Sequence, residues 1–291
     1  SILEISHRAK AYDEVHNQAK ADILSLMGLG DDYDVLFVQG GASLAFAMVA
    51  MNYATKEKKG SYVLSGSFAT KAYDEAALLG VGEIAASSKD GGFRHVPTQE
   101  EIKLDPNAAY LHLCYNNTIY GTELHKIPEV NIPLVADMSS DIFSFPVDFS
   151  KYNAVYAGAQ KNLAPAGVTI IIVRKDALGH VDRPLPTMLD YRTHIKKDSM
   201  FNTPPVLPIF SALQTLKWYK EQGGIKVLQK KNQEKAAVLY DEIDRNKLFR
   251  GTVAVEDRSL MNVCFVMNDE YKELEKEFAD FAAAAGMVGI K

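Results

Sequence analysis

The chain has 291 residues, a net charge of −5 and 47% hydrophobic residues, as expected of a globular protein with one large core, or with one large and one small core. The absence of a basic excess argues against a nucleic-acid partner, and no apolar run approaches the roughly 18 residues that cross a membrane. Cys114 and Cys264 are far apart and outside any CxxC spacing, which excludes a disulfide framework and a cysteine-based zinc site. Two such cysteines fit a reducing, cytoplasmic compartment.

The first predicted unit is a helix, a strand and a second helix. Apolar residues recur at helical spacing over residues 8–29, and Gly28 is a natural helix stop. Residues 34–38 form a short apolar run that predicts a strand, which ends before the Gly40-Gly41 pair. Small, helix-compatible residues then follow over residues 43–53.

Short buried strands continue along the chain, with amphipathic helical stretches such as residues 68–79 between several of them. The further strands are predicted at residues 61–64, 82–86, 109–114, 134–136, 154–157 and 169–173. Strands that alternate with helices indicate an α/β domain whose mainly parallel, seven-stranded sheet is covered on both faces.

The pattern changes after Pro208. Two long helices, a strand and a last helix are predicted at residues 209–222, 224–246, 260–266 and 270–285. We therefore predict a large domain over residues 1–222 and a small α+β domain over residues 223–291. No internal repeat is visible.

Asp137 and Lys161 are the most informative candidate site residues. Asp137 ends one buried strand, and Lys161 comes just after the next. Ligands of open α/β sheets bind at the carboxyl ends of the strands, so both side chains are expected at one edge. Each residue alone is better explained as a loop cap or a solvated charge. Together they fit pyridoxal-phosphate (PLP) chemistry, in which a lysine binds the cofactor covalently and a carboxylate keeps the pyridine nitrogen protonated.

The segment Gly40-Gly41-Ala42-Ser43 connects a predicted strand to a predicted helix. Backbone N–H groups at such a helix N-terminus bind phosphate, and glycines allow a close approach. Glycine turns of this kind are common, so the signal is weak alone. The GxGxxG spacing of dinucleotide-binding proteins is absent.

A succession of short motifs then becomes specific. They are Ile5-Ser6-His7-Arg8, Gln39-Gly40-Gly41-Ala42-Ser43, Ser65-Gly66-Ser67-Phe68, Asn116-Asn117-Thr118-Ile119-Tyr120-Gly121, Ala136-Asp137-Met138-Ser139-Ser140, Gly158-Ala159-Gln160-Lys161-Asn162 and Asn202-Thr203-Pro204-Pro205. In this order they resemble the phosphoserine aminotransferases, class V members of the fold-type I PLP enzymes. The resemblance covers the length of the chain and implies the fold-type I architecture.

The resemblance also implies roles for single residues at the cofactor. Lys161 would form the covalent link to PLP and later move the proton, and Asp137 would pair with the pyridine nitrogen. The cofactor phosphate would be bound by Ala42, Ser43 and Gln160. Thr118 would bond near the phenolic oxygen, although on local grounds it is equally well a turn residue. Phe68 would stack on the pyridine ring in place of the usual Trp, which weakens binding by a fraction of the ~0.5–1.5 kcal/mol of an aromatic pair.

Four further residues are implied in dimer and substrate contacts. Asn202 and Thr203 would reach the cofactor phosphate of a neighbouring subunit, which makes a homodimer with shared active sites. Without the resemblance they are better explained as loop residues before two prolines. His7 and Arg8 resemble a clamp for the substrate anion, or else are solvated at the terminus. No histidine pattern indicates a metal site.

The family pattern continues past Lys291 with a Gly-His-Arg segment and a further Arg that binds the substrate α-carboxylate. It also includes residues before Ser1. We therefore expect both ends to be cut and the small domain to be incomplete.

The implied reaction is amino transfer between L-glutamate and 3-phosphohydroxypyruvate, which gives O-phospho-L-serine and 2-oxoglutarate in L-serine biosynthesis. The alternatives are another class V activity, such as alanine–glyoxylate transamination or cysteine desulfuration, and a PLP-binding protein without turnover. Desulfuration needs a mobile nucleophilic cysteine, whereas Cys114 and Cys264 both lie in apolar runs.

Overall fold

The computed structural model describes Ile2 and residues 4–290. Its first elements are α1 (Lys10–Met27), β1 (Tyr33–Val38), α2 (Gly41–Tyr53), β2 (Gly60–Leu64), α3 (Ser67–Leu78), β3 (Gly82–Ser87), β4 (Tyr110–Cys114), β5 (Leu134–Asp137), β6 (Tyr152–Gly158) and β7 (Thr169–Arg174). Helices and strands alternate as far as β3, and the strands from β3 to β7 then follow one another with no α-helix between them in the described residues 82–174. All seven predicted strands are present, each within two residues of its expected bounds.

The seven strands form one sheet in the order β1-β7-β6-β5-β4-β2-β3. The pairs β2–β3, β2–β4, β4–β5 and β5–β6 are parallel, and β7 pairs antiparallel with both β1 and β6. Six strands therefore run in one direction and β7 in the other, which confirms the mainly parallel sheet. As a consequence, the carboxyl ends of β1, β4, β5 and β6 meet at one edge.

Apolar side chains cover both faces of this sheet. In β1, Val35 and Phe37 pack into the layer that contains α1, whereas Leu36 and Val38 pack into the layer that contains α2 and α3. Successive strand residues point to opposite faces, so a strand buried on both sides is apolar throughout. The continuous apolar runs in the sequence are thus explained by two helical layers.

The remaining elements follow the sheet. They are α4 (Tyr191–Lys196), α5 (Val206–Glu221), α6 (Ile225–Arg245), β8 (Phe249–Gly251), β9 (Phe265–Met267) and α7 (Glu275–Ala284). Helix α5 packs on α1 beside the sheet, and β8 and β9 form a separate antiparallel pair. The domain division at residue 222 stays a prediction.

Two predictions in this part are wrong in detail. The strand expected at residues 260–266 is confined to Phe265–Met267, because Ser259 accepts the backbone N–H groups of Met261 and Asn262 in a turn. The helix expected at residues 270–285 begins as a 3₁₀-helix at Asp269 and becomes α-helical only at Glu275. None of the helices in the part of the chain described is both long and apolar enough to span a membrane.

Candidate active site

The sheet topology brings the two strongest candidates to one cavity. Asp137 is the last residue of β5, and Lys161 follows β6 by three residues. The cavity between them is lined by Ala42, Phe68, Cys114, Asn116, Thr118, Asp137, Ser139, Ser140, Gln160 and Lys161. Six predicted cofactor residues, Ala42, Phe68, Thr118, Asp137, Gln160 and Lys161, therefore meet at the carboxyl edge of the sheet.

Lys161 is exposed and has two neighbours in this cavity. Its Nζ atom donates a hydrogen bond to Thr118 Oγ1 over 3.1 Å. The same atom lies 5.6 Å from the centre of the Phe68 ring, a cation–π distance. The side chain is thus directed into the cavity by a hydroxyl and an aromatic face, while its amine stays accessible.

Asp137 is buried, with only 4% of its surface exposed. The backbone N–H and the hydroxyl of Ser139 both donate to Asp137 Oδ1, over 2.9 and 2.6 Å. No hydrogen bond from the described residues reaches Asp137 Oδ2. Burial raises the pKa of Asp137 above its usual value, while Ser139 and the charge of Lys161 act against this shift. A buried carboxylate with one free oxygen at a cavity is suited to a cationic or N–H-bearing partner.

Helix α2 begins at the same edge. Gly40 and Gly41 have φ angles of 110° and 69°, a region that favours glycine, and a Cβ atom on Gly41 would meet nothing within 4 Å. The backbone N–H groups in the first turn of α2 have no intrahelical partner. Ser43 lies in this turn and is exposed, although it is not among the residues that line the cavity. The helix N-terminus offers an anion such as phosphate a ready site.

The remaining predicted residues lie elsewhere in the chain described. Asn202 and Thr203 are exposed and line a different cavity beside Val38 and Gln39. Arg8 is exposed in the turn before α1, and its backbone N–H bonds to Ser6 Oγ. His7 is half-buried in the same turn. None of these four residues contacts the cavity of Lys161 within this single chain.

Sequence reasoning missed three polar residues of the cavity. Ser139 could have been found, because a Ser two residues after a strand-end Asp is a common turn pattern. Asn116 and Ser140 could not, because the tertiary fold alone brings them together and brings Asn116 to Asn262 in the C-terminal region.

Cys114 also lines the cavity, but burial raises the pKa of its thiol well above its usual value. Burial likewise raises the pKa of Cys264. A nucleophilic cysteine must be a thiolate, so neither residue has the environment that desulfuration requires.

The chain matches the sequence pattern of the class-V aminotransferases over residues 2–282. It is 63% identical to a phosphoserine aminotransferase of Parabacteroides distasonis, over all of this chain and 81% of that protein. The phosphoserine aminotransferase structure from Bacillus circulans subsp. alkalophilus superimposes with a TM-score of 0.95 at 46% identity, over 100% of this chain and 81% of that one. A PLP-bound phosphoserine aminotransferase from Trichomonas vaginalis is 33% identical, with a TM-score of 0.91, over 100% of this chain and 83% of that one. The chain therefore belongs to the class-V aminotransferase family.

Proposed function

We propose that this chain catalyses reversible, PLP-dependent amino transfer between L-glutamate and 3-phosphohydroxypyruvate. The products are 2-oxoglutarate and O-phospho-L-serine, a step of L-serine biosynthesis. The observation that carries the proposal is the meeting of Lys161 and Asp137 at one cavity, in a chain that is 63% identical over its whole length to a phosphoserine aminotransferase. The cytoplasmic location expected from the sequence stays a prediction.

The cavity residues fit the cofactor. The open N-terminus of α2, with Ala42 and Ser43, would hold the phosphate, and Gln160 would reach it from the end of β6. Phe68 would cover one face of the ring. The free oxygen of the buried Asp137 carboxylate would accept a hydrogen bond from the ring nitrogen and hold the proton there. PLP, when bound, supplies an electron sink that stabilises negative charge on the carbon atom bearing the amino group.

Lys161 would do the proton transfer. Its Nζ atom is accessible and belongs to a flexible side chain, so it can bind the cofactor carbonyl and, once released, take a proton from one carbon atom and return it to another. Thr118, which accepts a hydrogen bond from this Nζ atom, would hold it in place between the two events. Asp137 would keep its negative charge only while a cationic partner balances the effect of its burial.

The two substrates explain the need for a basic clamp. Each carries an anionic group at both ends, and a guanidinium binds phosphate or carboxylate through two parallel hydrogen bonds. We assign this role to Arg8 with His7. Since neither residue contacts the Lys161 cavity of its own chain, the assignment fits best with a clamp built across a homodimer. Asn202 and Thr203 would likewise complete the phosphate site of the partner.

Alanine–glyoxylate transamination is the nearest competing activity. An alanine–glyoxylate aminotransferase from Nostoc sp. shares the fold with a TM-score of 0.75, but only 14% identity. That likeness supports a common fold and no more. Desulfuration is disfavoured by the raised pKa values of both cysteines.

The test is an absorbance titration of the PLP-loaded protein. Addition of L-glutamate should replace the yellow band of the bound cofactor with the band of pyridoxamine phosphate. Addition of 3-phosphohydroxypyruvate should then restore it and release O-phospho-L-serine. Restoration by glyoxylate but not by the phosphorylated keto acid would indicate the competing aminotransferase. A yellow band that does not change on addition of amino donors or keto acids would mean that the protein binds PLP without turnover.

A further inference from the structure

A chain of hydrogen bonds continues behind Lys161 into the protein. Thr118 Oγ1, which accepts from Lys161 Nζ, lies 3.2 Å from Ser140 Oγ. Ser140 Oγ in turn lies 3.2 Å from the backbone carbonyl oxygen of Asn116. Ser140 is buried, so these contacts are largely shielded from water. The amine of Lys161 is thus connected to the protein interior through two hydroxyl groups.

The direction of these hydrogen bonds is fixed by the chemistry of their ends. A carbonyl oxygen can only accept, so the single hydroxyl hydrogen of Ser140 is donated to Asn116. Ser140 must then accept from Thr118, which uses the single hydroxyl hydrogen of Thr118. A lone pair of Thr118 Oγ1 is therefore left for Lys161. Hydrogen bonds in such a chain polarise one another, which strengthens the contact at its end.

The side chain of Asn116 anchors Ser140. Its Nδ2 atom donates to Ser140 Oγ over 2.9 Å and to Asn262 Oδ1 over 2.6 Å, and its Oδ1 atom accepts from Ser259 Oγ over 2.5 Å. Ser259 also accepts the backbone N–H of Asn262, so it cannot turn away without breaking the turn. Ser140 is thus held by Asn116, which Ser259 and Asn262 in turn fix from a distant part of the chain.

We infer that Ser140 is a positioning residue for the amino transfer: it directs the Thr118 hydroxyl so that Thr118 presents an acceptor to Lys161. The role of Ser140 in catalysis rests on the proposed function. The contacts from which it is inferred are all within this protein. Ser140 would act on Lys161 solely through Thr118, and this gives a sharp test.

The experiment measures how fast an amine-reactive reagent labels Lys161 in the full chain after the cofactor is removed, with peptide mapping to identify the lysine. In Ser140→Ala, Lys161 loses a directed acceptor, and its labelling should become about threefold to tenfold faster, the factor that matches one ordinary hydrogen bond. Ser61→Ala is the matched control. Ser61 is fully buried and also donates one hydrogen bond, to Glu83 Oε1, but it lies near the amino end of β2, away from the edge of the sheet that holds the cavity. Lys161 in Ser61→Ala should be labelled at the wild-type rate.

A double-variant cycle separates positioning from general loosening. Thr118→Val should speed the labelling of Lys161, and adding Ser140→Ala to it should change nothing further, because Ser140 acts only through Thr118. Ser140→Cys keeps the shape with a weaker donor and acceptor, and it should also label faster, even if the alanine variant fails to fold. In the PLP-loaded protein, Ser140→Ala should slow the half-reaction with glutamate while the KM for glutamate stays unchanged.

Two results would overturn the inference. One is labelling of Ser140→Ala and Ser140→Cys at the wild-type rate. The other is an effect of Ser140→Ala that adds in full to that of Thr118→Val. A wild-type protein that fails to accept the amino group of glutamate would contradict the proposed function instead, and the labelling result for Ser140 would still stand on its own.

Discussion

Lys161 and Lys71 approach the same Phe68 ring at almost the same distance, with Nζ atoms 5.6 and 5.5 Å from its centre. Only Lys161 also donates to Thr118 and lies at the carboxyl edge of the sheet beside Asp137. Proximity to the aromatic ring alone does not identify the reactive lysine. The hydroxyl contact and the position after β6 favour Lys161 as that lysine.

These two lysines make a matched pair of variants. Lys161→Ala should abolish amino transfer and the borohydride-reducible bond to PLP, because no other lysine among residues 4–290 lines the cavity beside Asp137. Lys71→Ala should retain both. Peptide mapping of the reduced wild-type protein should find the pyridoxyl group on Lys161. Finding it on Lys71 would refute the site assignment.

Asp137→Asn tests the partner of the ring nitrogen. The amide keeps the shape of the side chain but cannot balance a protonated nitrogen, so the electron sink weakens. Cofactor should remain bound while the amino-transfer rate falls by orders of magnitude. Stopped-flow absorbance with glutamate measures the rate, and turnover close to that of the wild type would contradict the assigned role.

Ser139→Ala should move the pH dependence of the rate. Ser139 lowers the pKa of Asp137 by donating to its ionised form, so removing the hydroxyl raises that pKa. The proposed mechanism needs ionised Asp137, and the acid limb of the rate should therefore shift to higher pH. The control is Ser150→Ala, because Ser150 makes the same pair of hydrogen bonds to Asp148 Oδ1 at an exposed site. An unchanged acid limb in Ser139→Ala would show that another group sets it.

The shared site is tested by a mixed dimer. The double variant Asn202→Ala/Thr203→Ala should bind PLP more weakly, by about 1.5–3 kcal/mol per lost hydrogen bond to phosphate. PLP should also stabilise the dimer in sedimentation, by linkage. Mixing the double variant with Lys161→Ala should restore one good site per dimer, because the intact lysine then faces an intact Asn-Thr pair. No recovery on mixing would mean that both residues act within their own subunit.

Asp198 gives a prediction about stability. His16 and Lys20, whose nitrogens lie 3.3 and 2.6 Å from Asp198 Oδ1, hold the pKa of Asp198 well below its usual range. A carboxyl group with a lowered folded pKa stabilises the protein above the unfolded pKa of about 3.9, and this contribution is lost as the pH falls through the folded value. Asp198 has a φ of 48°, which asparagine tolerates.

Asp198→Asn should therefore lower the free energy of unfolding by about 1 kcal/mol at pH 7, a value that allows for the partial exposure of Asp198 and its partners. The difference from the wild type should shrink as the pH falls below about 4. Urea denaturation at pH 7 and at a pH below about 4 measures the free energy of unfolding of the variant and of the wild type. Asp176→Asn is the control, because its pair with Arg174 is largely exposed and should contribute almost nothing. An equal decrease in the free energy of unfolding of Asp198→Asn and Asp176→Asn at pH 7 would contradict the prediction.

The sequence was sufficient for most of the sheet because its central strands are buried on both faces and are therefore short apolar runs between turn residues, whereas the edge strand β3 leaves Ile84 exposed. Residues 169–173 are an example, and the structure extends that strand by a single residue to Arg174. The direction of β7 could not be predicted, because an antiparallel strand buried on both faces has the same apolar pattern as a parallel one.

The cavity was predictable where strand ends determine it. Asp137 ends the buried strand β5 and Lys161 follows the buried strand β6, and topology alone brings them together. Asn116 was not predictable, because its contact with Asn262 depends on how the C-terminal region packs, and Ser140 was not, because its contact is with Asn116. The strand predicted at residues 260–266 is shortened by a side-chain contact of this kind. The backbone N–H groups of Met261 and Asn262 donate to Ser259 Oγ and so cannot pair with a neighbouring strand.

The position of β1 at the sheet edge affects how the chain can fold during synthesis. Strand β1 pairs only with β7, with Tyr33 opposite Arg174, so it has no sheet partner until most of the large sheet has been made. The glycine turn after β1 can be fixed against Lys161 only after that pairing. A nascent chain released before Arg174 would have neither β7 to hold β1 nor a finished phosphate site. PLP should therefore bind only after β7 has joined the sheet, and contacts this distant in sequence slow folding.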